Sequence, residues 1–168
     1  DFDNWNKLIG FWLKEFNRIA KKDACVCCFT AGGGKTPTTA LFTIEAIKYF
    51  NLIQTLIWRK FIGLGWRYRP AYENIVILSK DKNRYKFYDT SKKCSNVIEN
   101  INQVIPKVND HPTKKPVALM ERLLKIHSLE GDIVLDSFAG GGSTLVACER
   151  LKRRWIGIEI NKKYCDIV

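Results

Sequence analysis

The segment from Asp132 to Thr144 (DIVLDSFAGGGST) constrains the fold most. An apolar run ends in an acid, Asp136, passes through Gly140, Gly141 and Gly142, and enters a stretch that can continue as a helix. Glycines at such a turn let the backbone bend sharply and pass close to a ligand. Glu159 follows Gly142 by 17 residues, at the expected end of the next strand. A carboxylate placed there can accept both hydroxyls of an adenosine ribose. The glycine pattern departs from the dinucleotide form: Gly140 and Gly142 fit it, but the third glycine position is Leu145. That leaves no clear pyrophosphate site and favours an adenosine ligand without phosphates. The plainer alternative is a glycine turn inside a βαβ unit.

The rest of the chain alternates in the same way. Trp5, Leu8, Ile9, Trp12, Leu13, Phe16 and Ile19 recur at helical spacing. Ala24 to Thr30 is a short apolar run and reads as a buried strand. Thr36 and Pro37 look like a helix start, with Ala40, Leu41, Ile44 and Ile47 as its apolar stripe. Thr55 to Arg59 and Asn74 to Ser79 read as strands, and Lys80 to Asp110 as polar, irregular chain. Pro116 opens a further helix, with Val117, Met120, Leu123 and Leu124 on one face. Gly131 to Asp136 is a strand, Ser143 to Leu151 a helix and Trp155 to Ile160 a strand. Strands alternating with helices predict an α/β fold with a mostly parallel sheet.

Composition narrows the partners. Lys and Arg total 28 against 17 Asp and Glu, a formal charge of +11, which points to a polyanion and most often to nucleic acid. The 168 residues match one domain in length and can bury a core. No apolar run approaches the ~20 residues of a membrane span, and no secretory leader is visible, so a cytoplasmic protein is expected. The cysteines Cys25, Cys27 and Cys28 cluster without a second pair, and the histidines are only His111 and His127. Buried thiols in a reducing compartment are therefore expected, and no metal site.

A second motif gives the first its meaning. His111-Pro112-Thr113-Lys114-Lys115-Pro116 lies just before the helix that precedes the glycine strand. Together the two resemble the DNA amino-methyltransferases that modify adenine N6 or cytosine N4. That family carries a His-Pro-Thr-x-Lys-Pro segment and then a strand ending Asp-x-Phe-x-Gly-x-Gly, in the permuted order in which the cofactor motif comes last. Gly157-Ile158-Glu159 with Tyr164, Leu56 to Lys60 and Tyr72 to Ile75 look like further parts of it, so the resemblance covers nearly the whole chain. It implies a Rossmann-like methyltransferase fold with helices on both faces of the sheet, and S-adenosyl-L-methionine as cofactor. Phe138, Gly140 and Gly142 would line the methionine and sulfonium side, Asp136 would sit near the methionine moiety, and Glu159 would hold the ribose. Thr113, Lys115 and Pro116 would close the other side. The implied reaction is base flipping followed by direct methyl transfer to the exocyclic amine.

The family's catalytic motif, Asp/Asn/Ser-Pro-Pro-aromatic, is not found: Pro37, Pro70, Pro106, Pro112 and Pro116 are nowhere adjacent. The motif would end a central strand upstream of Asp1, and the chain starts at Asp1 with Met120 its only methionine. A fragment of a longer enzyme is the expectation. A homologue that binds nucleic acid without methylating is the alternative. No catalytic residue is carried over.

From Trp58 to Lys93 there are ten Lys and Arg and three Asp and Glu, so +7 of the net charge lies there. Arg59, Lys60, Trp66, Arg67, Tyr68, Arg69, Lys82, Arg84 and Lys86 are the candidate nucleic-acid contacts, cations for phosphate and aromatic faces for an extruded base. Residues 80–110 occupy the place of the family's sequence-reading segment within a single methyltransferase domain. Expected partners are double-stranded DNA and either a second copy of the chain or a restriction partner. A phosphate loop at Ala31 to Thr36 fails on spacing, because Phe29 stands where its first glycine belongs.

Overall fold

The computed structural model describes residues 2–32, 36–61, 68–105 and 113–165. The chain divides into two compact units, Asp1–Lys86 with Lys93–Asn100, and Phe87–Lys92 with Ile101–Val168.

The first unit contains α1 (Phe2–Ile19), β1 (Cys25–Ala31), α2 (Thr38–Ala46), β2 (Asn51–Arg59), β3 (Tyr72–Ser79) and β4 (Val97–Ile98). The strand order is β1-β3-β2-β4. β3 is antiparallel to β1 and to β2, and β4 is parallel to β2. The expectation of a mostly parallel sheet is corrected here: only the β2–β4 pairing in this sheet is parallel. The reason lies in the connections. β1 reaches β2 through the helical crossover α2, so these two run the same way, whereas the link from β2 to β3 contains no helix among its described residues, and a chain that returns without a crossover runs antiparallel. β4 falls in the stretch read as irregular. Two residues carry too little pattern to be seen, yet Ile98 is fully buried.

β3 is covered on both sides. Ile75, Val76, Ile77 and Leu78 are all buried, which is why they form a continuous apolar run and not an alternating one. On one face Val76 and Leu78 pack with Cys28 of β1, Leu13 of α1, and Phe42, Ala46 and Phe50 on and after α2. Ile9, Trp12 and Phe16 of the α1 stripe lean on the same cluster, whereas Leu8 and Ile19 are exposed. Pro37 precedes the first helical residue of α2. Beside it, a Cβ at Gly32 would lie 2.1 Å from the Tyr72 carbonyl oxygen, so only glycine fits where β1 leaves the sheet.

The second unit contains α3 (Val117–His127), β5 (Ile133–Asp136), α4 (Ser143–Arg150), β6 (Arg154–Gly157) and α5 (Lys162–Cys165). β5 and β6 pair in parallel from Ile133 opposite Arg154 to Asp136 opposite Gly157. α3 buries Leu119, Met120, Leu123, Leu124 and Ile126; α4 buries Ser143, Leu145, Ala147 and Cys148. Residues 87–92 belong to this unit through the Tyr88 N–H, which donates to the Ile126 carbonyl at 2.7 Å, and through the Phe87 ring set edge-on to His127. Among the described residues no helix is long and apolar enough to cross a membrane.

Candidate functional site

The glycine loop is built where β5 ends. The Asp136 carboxylate accepts the Phe138 N–H at 3.1 Å, and the Asp136 carbonyl accepts the Ile158 N–H at 2.8 Å. The Ala139 N–H donates to the Ile158 carbonyl at 2.9 Å, tying the loop to the chain that leaves β6. Gly140 and Gly142 have φ of 51° and 71°, in the left-handed region that an L side chain enters at a cost of roughly 1–2 kcal/mol. Gly142 then caps α4, with no side chain serving the first turn.

Glu159 lies two residues past the end of β6 and not within a longer strand as expected. Its carboxylate is nevertheless at the glycine loop. One oxygen accepts the Gly140 N–H at 2.8 Å and the other accepts the Asn161 N–H at 2.8 Å. These two bonds orient the carboxylate. Phe138, beside the same loop, keeps 68% of its surface exposed. The donor set fits a nucleoside-type ligand: bare backbone at Gly140 to Gly142 for close approach, a carboxylate for hydroxyl groups, and an exposed ring whose face suits an apolar or cationic body.

Thr113 is exposed, Lys115 half-buried and Pro116 buried, with Pro116 capping α3. His111 and Pro112 lie outside the described residues. Sequence reasoning missed Ser143. Its hydroxyl donates to the Lys115 carbonyl at 2.6 Å and so joins the two motifs directly. The only sequence signal was a small polar residue at the first position of a helix that glycine already caps.

The basic residues lie in the first unit and are unequal. Arg59 ends β2 and pairs with Glu99 at 3.0 Å. Lys60 pairs with Glu73 at 2.7 Å, and its ammonium sits 5.8 Å from the centre of the Trp58 ring, which is itself buried. Tyr68 is fully exposed, and Arg69, Lys82 and Arg84 are also exposed. Lys86 is half-buried; its N–H donates to the Asp23 carbonyl. Trp66 and Arg67 lie outside the described residues, as do Gly33 to Lys35.

The clustered thiols are held neutral. Burial pushes Cys25 up to about 11 and Cys28 up to about 12, and raises Cys27 as well. Among the described residues no group of three His, Cys, Asp or Glu side chains is arranged to hold a metal ion.

Comparison with known proteins places this geometry. The DNA methylase family model of the N6/N4 type matches residues 1–168. The type II methyltransferase M2.DpnII of Streptococcus pneumoniae is 49% identical over 193 residues, covering 99% of this chain and 70% of that protein. The type II methyltransferase M.HpaI of Haemophilus parainfluenzae is 30% identical over 185 residues, covering 98% of this chain. The chain spans 59% of the length of M.HpaI and 61% of the length of the DNA adenine methyltransferase YhdJ of Escherichia coli. Among solved structures, the M1.HpyAVI–SAM complex aligns with a TM-score of 0.73 at 26% identity, covering 96% of this chain and 80% of that one. A DNA modification methylase from Thermus thermophilus aligns with a TM-score of 0.79 at 22% identity, covering 99% of this chain and 77% of that one, and supports the fold.

Proposed function

This chain belongs to the N6/N4 DNA methylase family, and from that membership we propose that it forms the S-adenosyl-L-methionine-binding and DNA-facing parts of a site-specific DNA methyltransferase. The target is the exocyclic amine of adenine (N6) or cytosine (N4) in double-stranded DNA. The observation that carries the reading is the glycine loop with the Glu159 carboxylate bonded to Gly140 and the exposed Phe138 ring beside it. A relative solved as a complex with the same cofactor supports it.

When bound, the cofactor supplies an electrophilic methyl group on a sulfonium sulfur. The chain's own residues bind and orient. Glu159 takes the ribose hydroxyls through its carboxylate. Gly140 and Gly142 let the backbone come close, Phe138 offers its ring to the sulfonium side, and Asp136 holds the start of the loop through the Phe138 N–H. Thr113, Lys115 and Pro116 form the opposing wall. Exposed Tyr68, Arg69, Lys82 and Arg84 meet the DNA, with residues 80–110 reading its sequence. These 168 residues contain no adjacent prolines, so none of them is assigned to polarise the target amine.

The type II names of M2.DpnII and M.HpaI favour a restriction enzyme of the same specificity as protein partner, ahead of a second copy of the chain. A chain acting on such DNA works in the cytoplasm.

The test is a calorimetric titration of the folded chain with S-adenosyl-L-methionine. Saturable binding is expected, weakened at least about tenfold in Phe138→Ala and in Glu159→Ala, as for loss of a charge-assisted bond or a packed ring. A folded chain that takes up no cofactor would overturn the reading and favour the plain nucleic-acid binder.

A further inference from the structure

Three contacts join α3 and the residues flanking its two ends to α4 and the turn that follows it, at successive levels. Ser143 Oγ donates to the Lys115 carbonyl at 2.6 Å, Arg150 pairs with Glu121 at 3.1 Å, and Arg153 donates through Nε to Ser128 Oγ at 3.1 Å and through Nη2 to the Ser128 carbonyl at 2.8 Å. The partners ascend together in both segments, so α3 and α4 run parallel and begin at the same end. That end carries the Thr113–Pro116 segment ahead of α3 and the glycine loop ahead of α4.

The first contact differs from the other two. Ser143 is 6% exposed. Ser143 follows the N-cap Gly142 as the first helical residue, and no side chain caps α4. The Ser143 hydroxyl donates across to a carbonyl 28 residues earlier. Pro116 caps α3, and the ladder of α3 begins from the Pro116 carbonyl, which accepts from Leu119 and Met120. The Lys115 carbonyl stands one residue ahead of that cap, so the Ser143 bond holds the segment before α3 and not the helix itself.

We infer that Ser143 is a positioning residue that fixes the Thr113–Pro116 segment against the glycine loop, so that both walls of the cofactor cleft are set before the cofactor arrives. This rests on the methyltransferase reading above. Loss of the hydroxyl removes the direct bond between the two walls and lets the segment drift. Preset walls are worth affinity because the ordering cost is met during folding.

Two variants and two measurements test it. Ser143→Ala removes the hydroxyl; Ser143→Cys keeps the volume with a much weaker donor. In the cofactor-free chain, amide hydrogen exchange at Thr113, Lys114 and Lys115 is expected to accelerate in both variants, while β5 and β6 keep their protection. In calorimetry both are expected to bind S-adenosyl-L-methionine about tenfold more weakly, the scale of removing one bond to a shielded group. Unchanged exchange at residues 113–115 would overturn the inference whatever the cofactor does. So would unchanged affinity in both variants, or a loss confined to Ser143→Ala, which would assign the effect to filled volume. Failure of the unsubstituted chain to bind would overturn the methyltransferase reading, and the cleft inference with it, and is seen separately in the same titration.

Discussion

The Lys60 ammonium lies 2.7 Å from a Glu73 carboxylate oxygen, with only 22% and 19% of the two side chains exposed. Lys60 therefore carries little unneutralised charge toward DNA, unlike the exposed Lys82 and Arg84. Removing a cation that neutralises one phosphate should reduce the slope of log affinity against log salt by about 0.9. Lys82→Ala and Arg84→Ala are expected to show such reductions, and Lys60→Met a much smaller one, by fluorescence anisotropy at several salt concentrations. Glu73→Gln adds the sign. If Lys60 served DNA directly, freeing it would strengthen binding; as a structural pair, its loss should leave affinity unchanged or lower. Stronger binding in Glu73→Gln would reject the structural role.

Arg153 is the clasp at the far end of the α3–α4 pair. It donates to Ser128 Oγ, to the Ser128 carbonyl and to the Leu151 carbonyl. Hydrogen bonds from a charged donor are worth roughly 1.5–3 kcal/mol each, and they are not additive. Arg153→Met is expected to lower stability by about 2–3 kcal/mol. Arg153→Lys should recover little of it, because an ammonium cannot reproduce the planar fork. Urea unfolding checks this, and full recovery by lysine would assign the effect to charge alone.

The thiols of β1 give a pH signature. An ordinary thiol ionises near 9.0, whereas burial holds Cys25 near 11 and Cys28 near 12 in the folded chain. Between those values the folded state keeps protons that the unfolded state has lost. The contribution is fully present below pH 9 and is lost as pH rises toward 11 and 12. The urea midpoint should therefore fall from pH 8.5 to 10.5, more steeply than in Cys28→Ala, relative to each protein's own value at pH 7. At pH 8, exposed Cys94 and Cys165 should alkylate before Cys27 and Cys28. Early labelling of Cys28 would contradict the burial.

Gly142 is held at a φ of 71°. Gly142→Ala should cost about 1–2 kcal/mol of stability from backbone strain and weaken cofactor binding as the α4 entry shifts. Gly131, also at positive φ but with open space around its Cβ direction, is the control: Gly131→Ala should cost similar stability and leave cofactor affinity alone. Equal affinity losses would show the effect to be global.

The elements with strong periods were legible. The α1 stripe, the apolar β3 and the acid–glycine–helix passage all appear within a few residues of where the pattern placed them. Strand direction was not, because alternation of hydrophobic and polar residues is the same in either sense; the antiparallel pairing of β2 with β3 is seen only in the structure. Trp58, at the head of the basic stretch, is a core residue. Arg59 and Lys60 read as candidate nucleic-acid contacts; the carboxylates that pair with them, Glu99 and Glu73, stand 40 and 13 residues away, beyond what a local charge count can pair. The link from Ser143 to Lys115 spans 28 residues and was invisible for the same reason.

The way the two compact units share one chain bears on synthesis. Phe87–Lys92 is assigned with α3, yet it leaves the ribosome well before Val117, while Lys93–Asn100, which completes the first sheet through β4, comes in between. The hexapeptide must wait, unplaced, until its receiving helix is made. A cut between residues 100 and 101 does not separate the units, because it strips the later one of the Tyr88 and Phe87 contacts. Chimeras that exchange residues 80–110, the proposed sequence-reading segment, should therefore carry residues 87–92 with the α3 that receives them.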